Sequence, residues 1–327
     1  MRVVILTEGG GNSGLGHISR CLSLYLEISK RKIQCEFIIN GDVNYVDFLK
    51  GVKYKNENWL STKFVHDELS SNDYVIIDSY KASKSICKSI VSRSRNVVFI
   101  DDIGRLDYPR GIIVNPSLDA NNIDYSKSLY TTLLSGPDYV IVRPSFFGLR
   151  RENTKIGVRR VLIIMGGTDI RGLSGILINS ICNNHLDFEF YFVLGGREVD
   201  KFVNCLECKN ISIYSNINAD QMVGLMMNCD LAITAAGQTI YELLATQTPF
   251  IPIRIIDNQD NNINSLLKYN PNQIILDYND KNLDKRIFEI LNSVKDSDEV
   301  KKMNSAYNNL IDGCGAKRVV DALLKGS

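Results

Sequence analysis

The chain has 327 residues, 44% hydrophobic and 23% charged, with 38 Lys and Arg against 37 acidic residues. It is long enough for two globular domains, and its near-zero net charge argues against a general nucleic-acid or anionic-membrane footprint. There is no apolar run of about 20 residues and no signal-peptide pattern ahead of the first strand, so the expectation is a cytoplasmic protein without stable membrane insertion.

Val3–Leu6 reads as the first strand, and Gly14-Leu15-Gly16-His17-Ile18-Ser19-Arg20-Cys21 carries the chain into an amphipathic helix over 17–31. Glycines at 14 and 16 permit positive φ and close backbone approach, and the opening N–H groups of the helix face the same crevice. Packing alone can explain such a turn. A histidine on it adds a group that exchanges a proton near neutral pH. Strands follow at Cys35–Ile39, Tyr74–Asp78, Val97–Asp101 and Ile112–Val114, with a helix over 82–93. The alternation predicts a parallel sheet with helices on its faces. Tyr130–Leu134 and Tyr139–Val142 read as further strands before Arg143-Pro144, and the polar basic stretch over 148–160 reads as a linker. The first domain is thus expected over 1–147.

The pattern restarts at Val161–Ile164, which leads into Met165-Gly166-Gly167-Thr168-Asp169 and a helix over 172–183. Strand Glu189–Leu194, Gly195-Gly196, another helix and strand Ile211–Tyr214 come next. Strand Leu231–Thr234, helix 238–246, strand Phe250–Ile253, a helix from about 258, strand Gln273–Leu276 and three closing helices complete a second doubly wound domain over 161–327. The last helix, Ala316–Lys325, has apolar residues at 319, 320, 323 and 324, a face suited to packing on a neighbouring domain.

The eight cysteines lie mostly in apolar segments and read as free buried thiols without a disulfide framework. Cys205 and Cys208 have zinc-knuckle spacing but no second ligand pair, and His66 and His185 lie near loops without companions. Asp296-Ser297-Asp298 looks like a metal clamp but reads as a solvated helix cap. No metal and no cofactor are expected.

Because ligands of open parallel sheets bind beyond the carboxyl ends of strands, position alone selects His17, Asp78-Ser79-Tyr80, Asp101-Asp102 and Asn115 in the first half. It selects Gly166 to Asp169, Gly195-Gly196 and Ala235 to Thr239 in the second. The small residues of Ala235-Ala236-Gly237-Gln238-Thr239 leave backbone N–H groups open to a diphosphate. Glu242, one turn further on, can accept hydrogen bonds from the vicinal hydroxyls of a ribose, although a helical glutamate beside a packing glycine is the plain alternative. Aspartates at strand ends often cap helices, and Tyr80 can bond a catalytic histidine, a water or a sugar.

Taken together, Gly14-x-Gly16-His17-Ile18-x-Arg20, Ile76-Ile77-Asp78-x-Tyr80, Asp101-Asp102, Val114-Asn115, Gly136 to Arg143, Met165 to Ile170 and Gly237-x-Thr239-x-x-Glu242 resemble the UDP-sugar hydrolases of pseudaminic acid biosynthesis. That family is related to the spore-coat SpsG proteins and more distantly to MurG-type glycosyltransferases. The resemblance implies a GT-B fold of two Rossmann-like, doubly wound α/β domains facing a cleft, with UDP on the second domain and the sugar toward the first. It implies hydrolysis of UDP-2,4-diacetamido-2,4,6-trideoxy-β-L-altropyranose or a close relative, by inverting attack of water at the anomeric carbon without a metal. His17 matches the catalytic histidine, with Asp78 and Tyr80 beside it. Substrate-binding residues implied by the match are Gly14, Gly16, Arg20, Asn115, Arg143, Gly166, Gly167, Thr168, Asp169, Gly237, Thr239 and Glu242, and Gln238 is added as a side-chain donor on the same turn. A monomer is expected.

Two positions depart from the pattern. Leu6-Thr7-Glu8 stands where the family usually has Arg-x-Asp, and Ser79 where it often has a histidine; both would face the sugar. A MurG-like glycosyltransferase and a non-catalytic nucleotide-sugar binding protein therefore stay open beside the hydrolase. A transferase acting on lipid-linked sugars is expected to carry an apolar or basic membrane-facing patch, for which Lys50 to Lys55 is the nearest and a short candidate.

Overall fold

The computed structural model describes residues 1–10, 14–43, 49–120, 123–149, 151, 157–166, 169–184, 186–195 and 208–325. The chain forms two compact units, Met1–Phe147 together with Ile311–Ser327, and Gly148–Leu310.

The first unit contains β1 (Arg2–Glu8), α1 (Gly16–Lys30), β2 (Gln34–Asn40), β3 (Lys55–Asn56), α2 (Thr62–Glu68), β4 (Asp73–Asp78), α3 (Lys84–Ser92), β5 (Asn96–Ile100), β6 (Gly111–Asn115) and β7 (Tyr130–Ser135). They form a parallel sheet in the order β3-β2-β1-β4-β5-β6-β7. The two-residue period of a strand sends alternate side chains to opposite faces. Val3 and Ile5 accordingly pack with Ile18, Leu24 and Ile28 of α1, whereas Val4 and Leu6 pack with Phe64 of α2 and Ile86 and Ile90 of α3. Burial on both sides explains why β1 reads as a continuous apolar run.

Residues 139–142 do not form the expected strand. Pro137 and Pro144 each open a 3-10 turn, Pro137–Tyr139 and Pro144–Phe146, and Val140, Ile141 and Val142 are buried between them without joining the sheet.

The second unit contains β8 (Arg160–Ile164), α4 (Leu173–Asn184), β9 (Glu189–Leu194), β10 (Ile211–Ser215), α5 (Ala219–Asn228), β11 (Leu231–Ala235), α6 (Thr239–Ala245), β12 (Phe250–Arg254), α7 (Asp260–Tyr269), β13 (Leu276–Asp277), α8 (Leu283–Val294) and α9 (Glu299–Ser305). Its strands are also parallel, in the order β10-β9-β8-β11-β12-β13. The helix expected after Gly195-Gly196 falls on residues 196–207, outside the described residues, as do Gly196, His185 and Cys205.

The last helix, α10 (Gly315–Lys325), packs in the first unit and not in the 161–327 domain to which sequence order assigned it. Ala316, Val319, Val320 and Leu323 join the core of α1 and β1, and Asn96 Nδ2 donates to the Leu323 carbonyl at 2.9 Å. The helix starts close against the 139–140 segment: a Cβ on Gly315 would lie 2.0 Å from the Val140 carbonyl oxygen.

One expectation for the cysteines is overturned. Cys182 at the end of α4 and Cys208 ahead of β10 form a disulfide, with their Cα atoms 5.7 Å apart. The other described cysteines, Cys21, Cys35, Cys87, Cys229 and Cys314, are free.

Candidate active site

In each sheet the strand order reverses beside the unit's first strand, between β1 and β4 and between β8 and β11. Such switch points are where open parallel sheets bind ligands. Thr7 pairs with Asp78 in the first unit and Ile164 with Thr234 in the second. The turns that leave those strands therefore carry His17 and Tyr80 in one unit, and Gly166 and Gly237 in the other.

The β1–α1 turn is shaped by glycine. Gly14 has φ 71°, and a Cβ on Gly10, at φ 89°, would lie 1.9 Å from the Asp42 carbonyl oxygen. The turn thereby lies against the residues that follow β2. α1 then begins at Gly16 without a side-chain cap, and its first turn directs His17 and Arg20 toward the end of β4.

His17 Nδ1 lies 2.6 Å from Asp78 Oδ1, and both residues are buried. Arg20 Nε and Nη2 donate to Asp78 Oδ2 and Oδ1 at 2.5 and 2.8 Å, and Nη1 donates to Asp102 Oδ2 at 2.7 Å. Arg20 Nη2 also lies 3.1 Å from His17 Nδ1. A carboxylate only accepts and a guanidinium only donates. The shorter contact to Asp78 assigns the ring proton to Nδ1, so Nε2 is the nitrogen with an open lone pair. No hydrogen bond to Nε2 is made among the described residues.

Burial disfavours the charged form of Asp78, but the charges and hydrogen bonds of Arg20 and His17 outweigh it and hold the carboxyl well below the usual range. At Asp102, too, burial is overcome by Arg20 and by the Tyr80 hydrogen bond, and the pKa is lowered. Tyr80 donates its hydroxyl to Asp102 Oδ1 at 2.6 Å, and its ring meets the imidazole edge-on, with centroids 4.4 Å apart at 87°. Burial, followed by the charge of Asp102, pushes the phenol far above its ordinary pKa and keeps it a donor.

Other candidates are engaged locally. Arg20 is buried and faces two carboxylates instead of a ligand. Asn115 Oδ1 accepts from the backbone N–H and the hydroxyl of Ser117, while its Nδ2 donates to Tyr125 Oη at 3.3 Å. Asp101 accepts from the backbone N–H groups of Ile103 and Arg105, and burial raises its pKa. Arg143 lies over the Phe146 ring at 5.3 Å.

In the second unit, Asp169 caps α4, accepting from the N–H groups of Leu173 and Ser174 at 3.0 and 2.6 Å. Gly166 has φ 86°, and Gly167 and Thr168 lie outside the described residues. The Ala236–Gln238 turn is fixed by Asn262, whose Nδ2 donates to the Ala236 carbonyl at 2.9 Å and whose Oδ1 accepts from Tyr241 Oη at 2.7 Å. α6 opens after Gln238 without a side-chain cap, with Glu242 in its first turn. Among the described residues no group of three or more His, Cys, Asp or Glu side chains is arranged to hold a metal ion.

Glu8 is the residue that sequence reasoning misplaced. It does not project outward; it is buried and accepts from the hydroxyl of Ser79 at 2.5 Å. The two positions that depart from the family pattern thus bond to each other, and only the β1/β4 register brings them together.

Residues 173–317 match the C-terminal domain of glycosyltransferase family 28. The Helicobacter pylori protein named pseudaminic acid cytidylyltransferase and UDP-2,4-diacetamido-2,4,6-trideoxy-beta-L-altropyranose hydrolase is 28% identical over 265 residues, 79% of this chain and 45% of that protein. The spore coat polysaccharide biosynthesis protein SpsG of Bacillus subtilis is 25% identical over 276 residues, 79% of each chain. The chain is their homologue. An uncharacterized Methanocaldococcus jannaschii protein is 27% identical, with 77% of this chain aligned to 55% of that one. The chain therefore spans about half the length of the Helicobacter and Methanocaldococcus relatives. Among solved structures, Acinetobacter baumannii MurG matches with a TM-score of 0.66 at 12% identity, covering 99% of this chain and 100% of that one. The fold is GT-B, with its two Rossmann-like parallel-sheet units.

Proposed function

We propose that the chain hydrolyses a UDP-linked diacetamido-trideoxy sugar, UDP-2,4-diacetamido-2,4,6-trideoxy-β-L-altropyranose or a close relative. The observation that carries this reading is the His17–Asp78 pair, in which Nδ1 holds the proton and Nε2 is left to act as base. Nε2 takes a proton from water as the water oxygen bonds to the anomeric carbon. The bond from that carbon to the diphosphate oxygen breaks, its electron pair leaves on UDP, and a single displacement inverts the centre. Asp78 orients the imidazole and balances the imidazolium that forms, while Arg20 keeps Asp78 charged. In this reading the turns at Gly166, Gly167, Thr168 and Asp169 and at Gly237, Gln238 and Thr239 hold the diphosphate, and Glu242 the ribose. No metal takes part, and the enzyme is a cytoplasmic monomer. None of the described helices is long and apolar enough to cross a membrane.

Turnover in ¹⁸O-water tests the reaction. The label is expected in the free sugar and not in UDP, at a rate unaltered by chelator. His17→Asn should slow turnover about 10²–10⁴-fold, the usual loss on removing a general base. Label in the β-phosphate would mean attack at phosphorus. The match to the glycosyltransferase family 28 C-terminal domain and the fold shared with MurG sustain a second reading, transfer to another sugar, and turnover only with an added acceptor would select it.

A further inference from the structure

Glu8 ends β1 as a carboxylate with 2% exposure, at the switch point but inside the protein. Its Oε1 accepts from the backbone N–H groups of Tyr80 and Lys81 at 2.9 and 3.2 Å, and its Oε2 from the Ser79 hydroxyl at 2.5 Å. Ser79 Oγ accepts in turn from the N–H groups of Lys81 and Ala82 at 3.0 and 2.9 Å. The turn after β4 therefore closes around a carboxylate supplied by the neighbouring strand. Buried polar groups bonded this fully rigidify what they hold. What this turn holds is Tyr80, whose ring stands edge-on to His17 and is 41% exposed.

We propose that Glu8, acting with Ser79, is a positioning residue that sets the Tyr80 ring against the imidazole of His17 and so fixes the room left for a sugar beside Nε2. The catalytic side of this proposal rests on the hydrolase reading; the positioning does not. Glutamine at position 8 can still accept from the two backbone N–H groups. Its amide NH₂, however, faces a hydroxyl that already accepts twice, so one donor is left unpaired. That mismatch displaces the turn while keeping the size of the side chain. A loss of Glu8 that acts through Tyr80 has little left to remove once the ring is gone, which a double-mutant cycle detects.

The chain has three histidines, so ¹³C-histidine labelling gives few signals, and His66, with a side chain 74% exposed, is an internal control. In the intact chain, Glu8→Gln should move the His17 ring signals toward their positions in Tyr80→Ala and leave those of His66 in place. With the UDP-sugar as substrate, Glu8→Gln should lower kcat/KM about 10-fold in the wild-type background and less than about 2-fold in Tyr80→Ala. If Glu8→Gln does not fold, as judged by far-ultraviolet circular dichroism, Ser79→Ala takes its place, with Ser79→Thr restoring the hydroxyl and the signal. The proposal is overturned if neither Glu8→Gln nor Ser79→Ala moves the His17 signals, if Tyr80→Ala does not, or if the losses in kcat/KM multiply. Shifted His17 signals in a protein that turns over no UDP-sugar in water would sink the hydrolase reading and leave the positioning role intact.

Discussion

Arg20 sits between Asp78 and Asp102 with a side chain only 3% exposed, so its charge is spent on holding two acids ionised. Removing one partner of a buried pair typically costs about 3–5 kcal/mol, because the other charge is left uncompensated, and Arg20→Met should lose stability on that scale in urea unfolding. The sign with pH follows from Asp78. Its folded pKa is held below the unfolded value of about 3.9, so its contribution is complete above about pH 4 and is lost as pH falls below it. Wild-type stability should therefore decline on acidification below about pH 4, and Asp78→Asn should flatten that decline. An Asp78→Asn protein with the same acid limb as wild type would show that another carboxyl controls it. Asp78 and Tyr80 were legible as candidates because they fall at or next to a strand end, and His17 because it follows a glycine turn at the start of a helix. The inward roles of Arg20 and Glu8 were not, since they depend on Thr7 lying opposite Asp78 and on which acids that register places within reach.

At the scale of elements, the apolar strands were legible almost to the residue; Glu189–Leu194 is unchanged from sequence to structure. Misreadings arose where apolar content and backbone chemistry disagree. Val140 to Val142 have strand-like side chains, but Pro137 and Pro144 bracket them with turns. The two-residue β3 and seven-residue α2 carried too little periodicity to be placed, and α5 was missed although it opens on an Asn218–Gln221 capping box. The stripe of α10 read as a face for a neighbouring domain, and it does pack in the core of the first unit, although sequence order assigned the helix itself to the second. Leu323 is fully buried in the core of the first unit, and Leu323→Ala should destabilise by about 2–5 kcal/mol. Hydrogen exchange should place the loss in the first unit, in β1 and α1, and faster exchange confined to residues 148–310 would contradict that docking.

For the molecule as a whole, each sheet has its own switch point, and the proposed division of labour is testable through the second one alone. Loss of a charged hydrogen-bond partner costs roughly 1.5–3 kcal/mol. Glu242→Ala should therefore weaken UDP binding by about one to two orders of magnitude in calorimetry, and unchanged affinity would move the nucleotide elsewhere. The two parallel-sheet units were legible as two rounds of strand and helix, but not the path of the chain through them. The first unit is discontinuous, Met1–Phe147 completed by Ile311–Ser327, whereas the second is one uninterrupted span. Domains emerging from a ribosome generally fold in order from the amino terminus. Here the order is reversed at the last step: residues 148–310 can reach their native core during synthesis, while the half that carries His17 waits with an open hydrophobic face until α10 has been made.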